Sequence, residues 1–365
     1  MTTVWDKKGI GLNPASQVHY IDHLAVVCIL MKIPLLFLDE NDLLLGKKYY
    51  PDLEAIMSPY SDFSPEFLIA NYDVSFMSDL WDRRVMQEKY SELEEKYHKP
   101  WRNVHCPHGF SDKGFYLAKC AMEDIALLYG DNMIDQLKDY GVWEKLKNYV
   151  VTGNYRYTYF KQHRGFYDAL FENEIQSQFA KKQPLILYAP TWMDLENSTT
   201  FFDNYHQILG KLPETYNMIV KLHPRLELDD VVTYYQIMGQ YETKPNVIFL
   251  KDYPLVFPLL AHTDIYLGDM SSVGYDYLIF NKPLFFLNKQ NRNVDTDRGL
   301  FLFRCGTVIQ AAQFDQLYQI IEASIAEDQQ KFTAIRKQVW EYTFGKERSF
   351  NDIREEIIRK VDGTK

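Results

Sequence analysis

"LGDMSSVGYDYLIFNKPLFFLN", residues 267–288, runs an apolar strand end straight into Gly268-Asp269-Met270-Ser271-Ser272 and follows it with an aromatic stretch of helical character. A strand that exits into small polar residues and then opens a helix leaves backbone N–H groups without intrahelical partners, and here two hydroxyls stand beside them. Such a turn suits an anion. Asp276 lies one helical turn beyond Ser272, placed to accept from a hydroxyl or to orient a serine. Asp and Ser are also frequent helix caps, so the stretch alone leaves an anion site and an ordinary cap both open.

Working outward, the same strand-then-helix alternation recurs upstream. In the block that holds the quoted stretch, strands are expected at Leu185–Tyr188, Met218–Lys221, Val247–Leu250, Ile265–Leu267 and Pro283–Leu287, with helices between them. The first half alternates likewise: a helix over His19–Met31, a strand at Ile33–Leu38, a strand at Asp73–Met77 and a charged helix at Asp79–Tyr97. After a loop from Asn103 to Gly114 come a helix near Phe115–Ala121, a strand at Ile125–Tyr129, a helix over Asp131–Tyr140 and a strand at Tyr149–Thr152. This is the βα pattern of open parallel sheets. A hydrophilic helix over Lys161–Gln183 separates the blocks, and Phe314–Val361 reads as two charged amphipathic helices. The expectation is α/β: two Rossmann-like doubly wound domains, residues 1–165 and 166–345, with a C-terminal helix at 346–365. Two such blocks facing each other imply a cleft, where ligands of these sheets usually bind.

Composition narrows the classes. The chain has 365 residues, 46% of them hydrophobic and 25% charged, with 27 Tyr and 23 Phe, which excludes general disorder and low-complexity scaffolds. A formal net charge of -10 argues against a broad nucleic-acid surface while leaving room for a local phosphate cleft. Cys28, Cys106, Cys120 and Cys305 lie far apart with no Cys-x-x-Cys pair, so neither a zinc knuckle nor a disulfide framework is expected, and the compartment reads as reducing. The N-terminal Met1–Lys8 lacks a basic, apolar, small-residue cleavage pattern, so no export leader is expected. The most apolar window, Leu24–Leu38, is cut by Lys32 and Pro34 and is too short to span a bilayer. A cytoplasmic protein, with at most peripheral membrane contact at the inner face, fits these features.

Three further motifs sit at expected strand ends. "HCPHGFSDKG", His105–Gly114, offers His108 as a proton shuttle near neutral pH, Gly109 for close backbone approach, and Lys113 as a nearby cation. "VTGNYRYTYF" brings Arg156, whose planar fork suits a phosphate. "LYAPTWMD" and "IVKLHPRL" are strands halted at X-Pro, which forces extended geometry and projects Thr191 and His223 at the carboxyl edge, with Lys221 and Arg225 beside the latter. The run Asp295–Gly299 reads as a salt-bridged surface turn, and no metal is assigned to it. No Gly-x-Gly-x-x-Gly, Gly-x-Ser-x-Gly or His-Glu-x-x-His is present, which removes those enzyme classes.

In this order, "HG", "TGNYR", "YAPTW", "KLHP" and "GDMSSVGYDYLIFNKPLFFLN" resemble the CDP-glycerol glycerophosphotransferase family, the teichoic acid primases and polymerases, over residues 108–288. The resemblance implies a GT-B architecture that holds a CDP-alcohol donor mainly in its second domain and needs no cofactor. It implies that His108 is the catalytic base of the His-Gly motif, with Gly109 its partner. It also implies that Arg156, Ala189, Pro190, Thr191, His223, Ser271, Ser272 and Asp276 hold the donor. Lys113 and Lys221 join them as substrate-binding candidates from the motifs above, and a protonated His223 would neutralise the departing phosphate as a second catalytic group.

The activity so implied moves glycerol phosphate, or a related polyol phosphate, to a hydroxyl on a polyol, glycan or lipid-linked acceptor and releases CMP. The long basic stretches of the family's polymerases are not found here, which favours a single transfer or a small acceptor. A GT-B glycosyltransferase using a nucleotide sugar and a catalytically inactive nucleotide-binding homologue share the expected fold.

Overall fold

A computed structural model describes residues 5–14, 17–78 and 83–363. The first four residues of the expected helix at Asp79, residues 1–4 of the stretch read for a leader, and the last two of the C-terminal helix lie outside the described residues. Contacts divide the chain into two compact units. The first holds Met1–Gly109, Gly114–Tyr159 and Tyr342–Lys365; the second holds Phe110–Lys113 and Phe160–Glu341.

In the first unit the strands β1 (Gly9–Asn13), β2 (Leu35–Phe37), β3 (Ala55–Met57), β4 (Val74–Met77), β5 (Arg102–His105), β6 (Ile125–Leu128) and β7 (Tyr149–Val151) form one sheet. Its order is β3-β2-β1-β4-β5-β6-β7, and every pairing is parallel. β1, β3 and β5 differ from expectation, the last replacing part of the expected loop at Asn103–Gly114. β1 has two glycines in five residues, β3 is a three-residue edge strand, and β5 carries Arg102, Asn103 and His105, so none has the apolar signature of a buried strand. Gly11 is required in β1 because a Cβ there would stand 2.2 Å from Cys28 Sγ on the following helix, Val18–Met31. Ile10, Leu12, Leu36, Ile69 and Trp101 belong to this unit's core, and Trp101 stacks on Tyr90 at 5.3 Å.

In the second unit β8 (Leu185–Ala189), β9 (Asn217–Lys221), β10 (Val247–Leu250), β11 (Ile265–Gly268), β12 (Leu284–Asn288) and β13 (Thr307–Gln310) form a parallel sheet of order β10-β9-β8-β11-β12-β13. β8, β11 and β12 are buried at every position, as parallel strands covered on both faces must be. Ile186, Met218, Ile265, Leu267, Phe285 and Leu287 share one apolar cluster with Ile237 and Ile321 from the covering helices.

Both sheets keep the doubly wound order, in which the chain runs outward one way, returns, and runs outward the other way. The reversal leaves a crevice between the first and fourth strands of each unit. In the first unit it lies between β1 and β4, and in the second between β8 and β11. The His108, Thr191, His223 and Ser271–Ser272 motifs follow β5, β8, β9 and β11, which form or adjoin these points, whereas the Arg156 motif follows the edge strand β7.

The unit boundaries differ from those expected. The division falls between Tyr159 and Phe160 rather than near residue 165, and the last helix is no separate element. Phe350–Gly363 buries Ile353, Ile357, Ile358 and Val361 and packs on β7 and on Val18–Met31, so its apolar face is what assigns it to the first unit. The expected hydrophilic helix at Lys161–Gln183 is two, Tyr155–Gln162 and Arg164–Glu174. All four cysteines are buried and unbridged. Among the described residues no helix is long and apolar enough to cross a membrane.

The helix Leu317–Phe344 carries a fully buried ion pair: Arg336 binds both oxygens of Asp328 at 2.6 Å and donates to the Cys305 carbonyl at 2.9 Å. Asp328→Ala is expected to cost about 3–5 kcal/mol by stranding the guanidinium, while Asp328→Ala with Arg336→Met recovers most of it. Urea unfolding followed by a probe in the second unit measures both.

Candidate active site

β5 delivers the first motif. The chain leaves it at His105, and three residues later His108 stands half-buried beside the exit of β4, where a hydrogen bond joins its ring to the Ser78 backbone. The start of the helix Val18–Met31 supplies the other walls: the His108 ring lies 5.0 Å from that of Tyr20 and 6.1 Å, edge-on, from that of His19. Burial pushes the His108 pKa down from 6.5 to about 4, against the opposing pull of the Ser78 bond. The imidazole is therefore neutral at pH 7.

Tyr129, immediately after β6, fixes this turn. Its hydroxyl accepts from the Gly109 N–H at 3.1 Å and donates to the Pro107 carbonyl at 3.0 Å, bracketing His108 from both sides. His23 Nδ1 lies 3.5 Å from the same oxygen. Gly109 has φ of +113°, a conformation that side chains with a Cβ rarely adopt, so the His-Gly pair is a backbone requirement.

Arg156 departs from expectation. Its guanidinium is 3% exposed and donates at 2.6 Å to Asp22, whose other oxygen accepts from Tyr50 at 2.6 Å. A cation so buried and neutralised is an anchor: it holds Asp22, three residues past His19 on the helix that walls His108, rather than standing open to a phosphate.

In the second unit the crevice is built from the exits of β8 and β11, paired through Ala189 and Gly268. Ala189 and Pro190 are buried and let the chains approach closely. Asp269, 1% exposed, ties the two exits together. One carboxylate oxygen accepts from the Thr191 N–H at 2.8 Å; the other accepts from the Thr200 N–H and hydroxyl, each at 3.0 Å. Burial raises the Asp269 pKa, and those hydrogen bonds and the Lys113 charge oppose the rise.

Lys113 also proves to be framework. Its ammonium is buried, donating to Thr191 Oγ1 at 2.6 Å and pairing with Asp194 at 2.5 Å. Its neighbour Asp112 accepts from Tyr275 at 2.6 Å, Arg298 at 2.9 Å and the Leu302 N–H at 3.1 Å. The Asp295–Gly299 turn is thus salt-bridged, with Arg292 on Asp297 and Arg298 on the distant Asp112. Lys113 and Thr191 were expected to touch substrate; the structure uses their polar groups to hold the crevice.

Ser271 and Ser272 are half-exposed at its mouth. The helix behind them is short, Val273–Tyr277 continued by the 3-10 turn Leu278–Phe280, and Ser272 at its cap position makes no side-chain capping bond. Among the described residues the Ser272 hydroxyl has no intramolecular partner. The Ser271 hydroxyl, one residue earlier, accepts from the Val273 N–H at 3.5 Å, a long cap-type contact at the helix start. Asp276 is buried within the short helix.

β9, adjacent to β8 on the other side, ends at Lys221, which is half-buried, and two residues later presents His223. His223 Nδ1 accepts the backbone N–H of Arg225 at 3.2 Å. Since a backbone N–H only donates, the neutral ring carries its proton on Nε2 and offers a donor without being protonated. Trp192 lies 6.2 Å away, ring to ring.

Asp269, Tyr129, Asp22, His19, Tyr20, Trp192 and Asp194 are the site residues that the sequence reading missed. One signal was available for three of them: "HYIDH", residues 19–23, crowds polar groups into the first turns of an otherwise apolar helix.

The family model described as CDP-Glycerol:Poly(glycerophosphate) glycerophosphotransferase matches residues 154–351. The teichoic acid glycerol-phosphate primase of Bacillus subtilis (strain 168) is 31% identical over 123 residues, 33% of this chain and 29% of that protein. The teichoic acid ribitol-phosphate polymerase TarK of Staphylococcus aureus is 26% identical over 160 residues, 41% of this chain and 29% of that protein. The matches thus span less than a third of the length of these curated relatives. The wall teichoic acid polymerase TagF superposes with a TM-score of 0.62 at 12% identity, covering 97% of this chain and 88% of that one. The S. aureus MnaA–UDP structure superposes with a TM-score of 0.60 at 11% identity, covering 98% and 96%. These likenesses show the GT-B-like fold class. With more than half of its length matched by the family model, and with the family's motifs at the strand exits just described, the chain belongs to the CDP-glycerol:poly(glycerophosphate) glycerophosphotransferase family.

Proposed function

We propose that this protein transfers glycerol phosphate, or a related polyol phosphate, from a CDP-activated donor to an acceptor hydroxyl and releases CMP. Two observations, one within each unit, support the reading: a neutral His108 beside the crevice of the first, and in the second a Ser272 hydroxyl that makes no capping bond. In the proposed reaction the acceptor oxygen attacks the phosphorus joined to glycerol as its proton passes to His108. The bond from that phosphorus to the CMP oxygen breaks, and CMP takes the electron pair. Such transfers depend on positioning and on donors aimed at the phosphoryl oxygens, a task suited to Ser271, Ser272 and the Nε2–H of His223. Lys221 belongs to the same edge as a further cation, and Asp276 supports the serines from the short helix. A TagF variant has been studied with CDPG, which agrees with the donor class.

Arg156, Lys113 and Thr191 act in this reading as positioning residues, Arg156 through Asp22 and the others through Asp269 and Asp194. The location that goes with it is the cytoplasm, at the inner face of the membrane. Peripheral contact there is supported by Val231, Val232 and Tyr235, which are 51%, 78% and 53% exposed at helical spacing on Val231–Tyr241, and by Leu228, 76% exposed on the short helix Leu226–Asp229 before it.

Purified protein is expected to release CMP from CDP-glycerol or CDP-ribitol when an acceptor extract is present. His108→Ala should lower that rate by roughly 100-fold or more, the usual worth of a general base, while donor binding persists. UDP release from nucleotide sugars would instead make it a glycosyltransferase, and unchanged turnover in His108→Ala would remove the base assignment.

The pH dependence has a definite sign. The neutral imidazole is the active form, so kcat/KM for the acceptor falls as pH is lowered through the His108 pKa. Because burial depresses that pKa toward about 4, the rate should hold through pH 6, where an ordinary histidine has begun to lose activity. A midpoint at or above 6.5 would contradict the buried environment.

Tyr129→Phe removes both bonds that bracket His108 and should cut kcat about tenfold, the equivalent of one to two hydrogen bonds, with the donor dissociation constant unchanged. Equal weakening of donor binding would show a broader collapse of the unit.

A further inference from the structure

Arg225 stands apart from the other arginines of its edge. Arg292 is paired with Asp297 and Glu196, and Arg298 with Asp112. Arg225 is exposed and, among the described residues, has no carboxylate within ion-pairing distance. Its guanidinium lies instead on the face of Trp192, 4.2 Å from the ring centroid. Its backbone N–H closes the turn onto His223 Nδ1, so the guanidinium and the His223 Nε2–H are carried by one rigid turn. Leu222 and Leu226, both buried, fasten that turn at its two ends.

Strand order supplies the reach. β9, β8 and β11 are consecutive neighbours, and their exits carry His223 and Arg225, Thr191 and Trp192, and Ser271 and Ser272 respectively. Two strand spacings are roughly 10 Å, a span across which a diphosphate and the groups attached to it can lie. A phosphate at the serines leaves the next one directed over β8 toward the Trp192–Arg225 pair. A guanidinium held flat on an indole keeps its outward N–H groups available in a fixed fork, the geometry that meets two phosphate oxygens at once.

Building on the proposed donor class, we propose that Arg225, seated on Trp192, binds the second phosphate of the donor and lets the site distinguish a nucleoside diphosphate from a monophosphate. Arg225 is then a specificity-determining residue, Trp192 the platform that orients it, and His223 the donor beside it.

Equilibrium binding of CDP and CMP to the full chain, by calorimetry and without acceptor, tests this apart from turnover. Arg225→Ala should weaken CDP roughly tenfold or more while changing CMP less than about twofold. Arg225→Lys should restore only part of the difference, since a point charge lacks the fork, and Trp192→Leu should fall between wild type and Arg225→Ala. Because Arg225 is exposed, an unchanged thermal midpoint is expected and separates a binding loss from unfolding. Equal weakening of CDP and CMP, or no weakening of either, would overturn the proposal. A wild-type preference for UDP over CDP would overturn the cytidine reading alone, and the UDP to UMP ratio in Arg225→Ala would then decide the role of Arg225. Failure of every nucleoside diphosphate to bind the wild type would overturn both.

Discussion

The second unit depends on one buried carboxylate. Asp269 receives three hydrogen bonds at the point where β8 and β11 part, two of them from backbone N–H groups that would otherwise be left unsatisfied in the interior. A buried acceptor without partners is costly, and so are buried donors without an acceptor; joining them makes the crevice a single arrangement instead of several. Lys113 adds the compensating charge, itself balanced by Asp194. Outside this network stand the half-exposed Ser272 and the exposed Arg225. The polar groups at the strand exits thus divide into those that brace the crevice and those that do not.

The first unit follows the same division. Arg156, Asp22 and Tyr50 form a buried chain that holds the helix after β1, and Tyr129 holds the turn after β5. Between them His108 is kept neutral by burial, the protonation state a base requires. Rigid elements hold the His108 ring while the loop that carries it stays short.

Much of the sheet architecture was legible. β8, β9, β11 and β12 are uninterrupted apolar runs bounded by proline, glycine or polar residues, and such runs announce buried parallel strands. β1, β3 and β5 were not, because glycine, shortness and polar side chains erase that signature; their strand character comes from neighbours that supply hydrogen bonds. His108, His223 and the serines were singled out as polar residues that follow a strand, and the structure leaves each of them partly accessible. Arg156, Lys113 and Thr191 were read as ligand contacts because their partners lie far away in sequence: Asp22 is 134 residues from Arg156, and Thr191 is 78 from Lys113.

By itself, then, the sequence determined two blocks of alternating strands and helices, the exits of their apolar strands, and the residue types gathered there, since these follow from local periodicity and from proline and glycine chemistry. Tertiary structure alone decided which exits became neighbours and which polar groups were buried. Strand order rests on hydrogen bonds between segments distant in the chain, and β8 meets β11 only because two intervening strands are laid on its other side. Burial in turn decided that Lys113 and Arg156 are braces, that Ser272 is an open hydroxyl, and that Arg225 lies unpaired on an indole face, none of which is encoded by spacing along the chain.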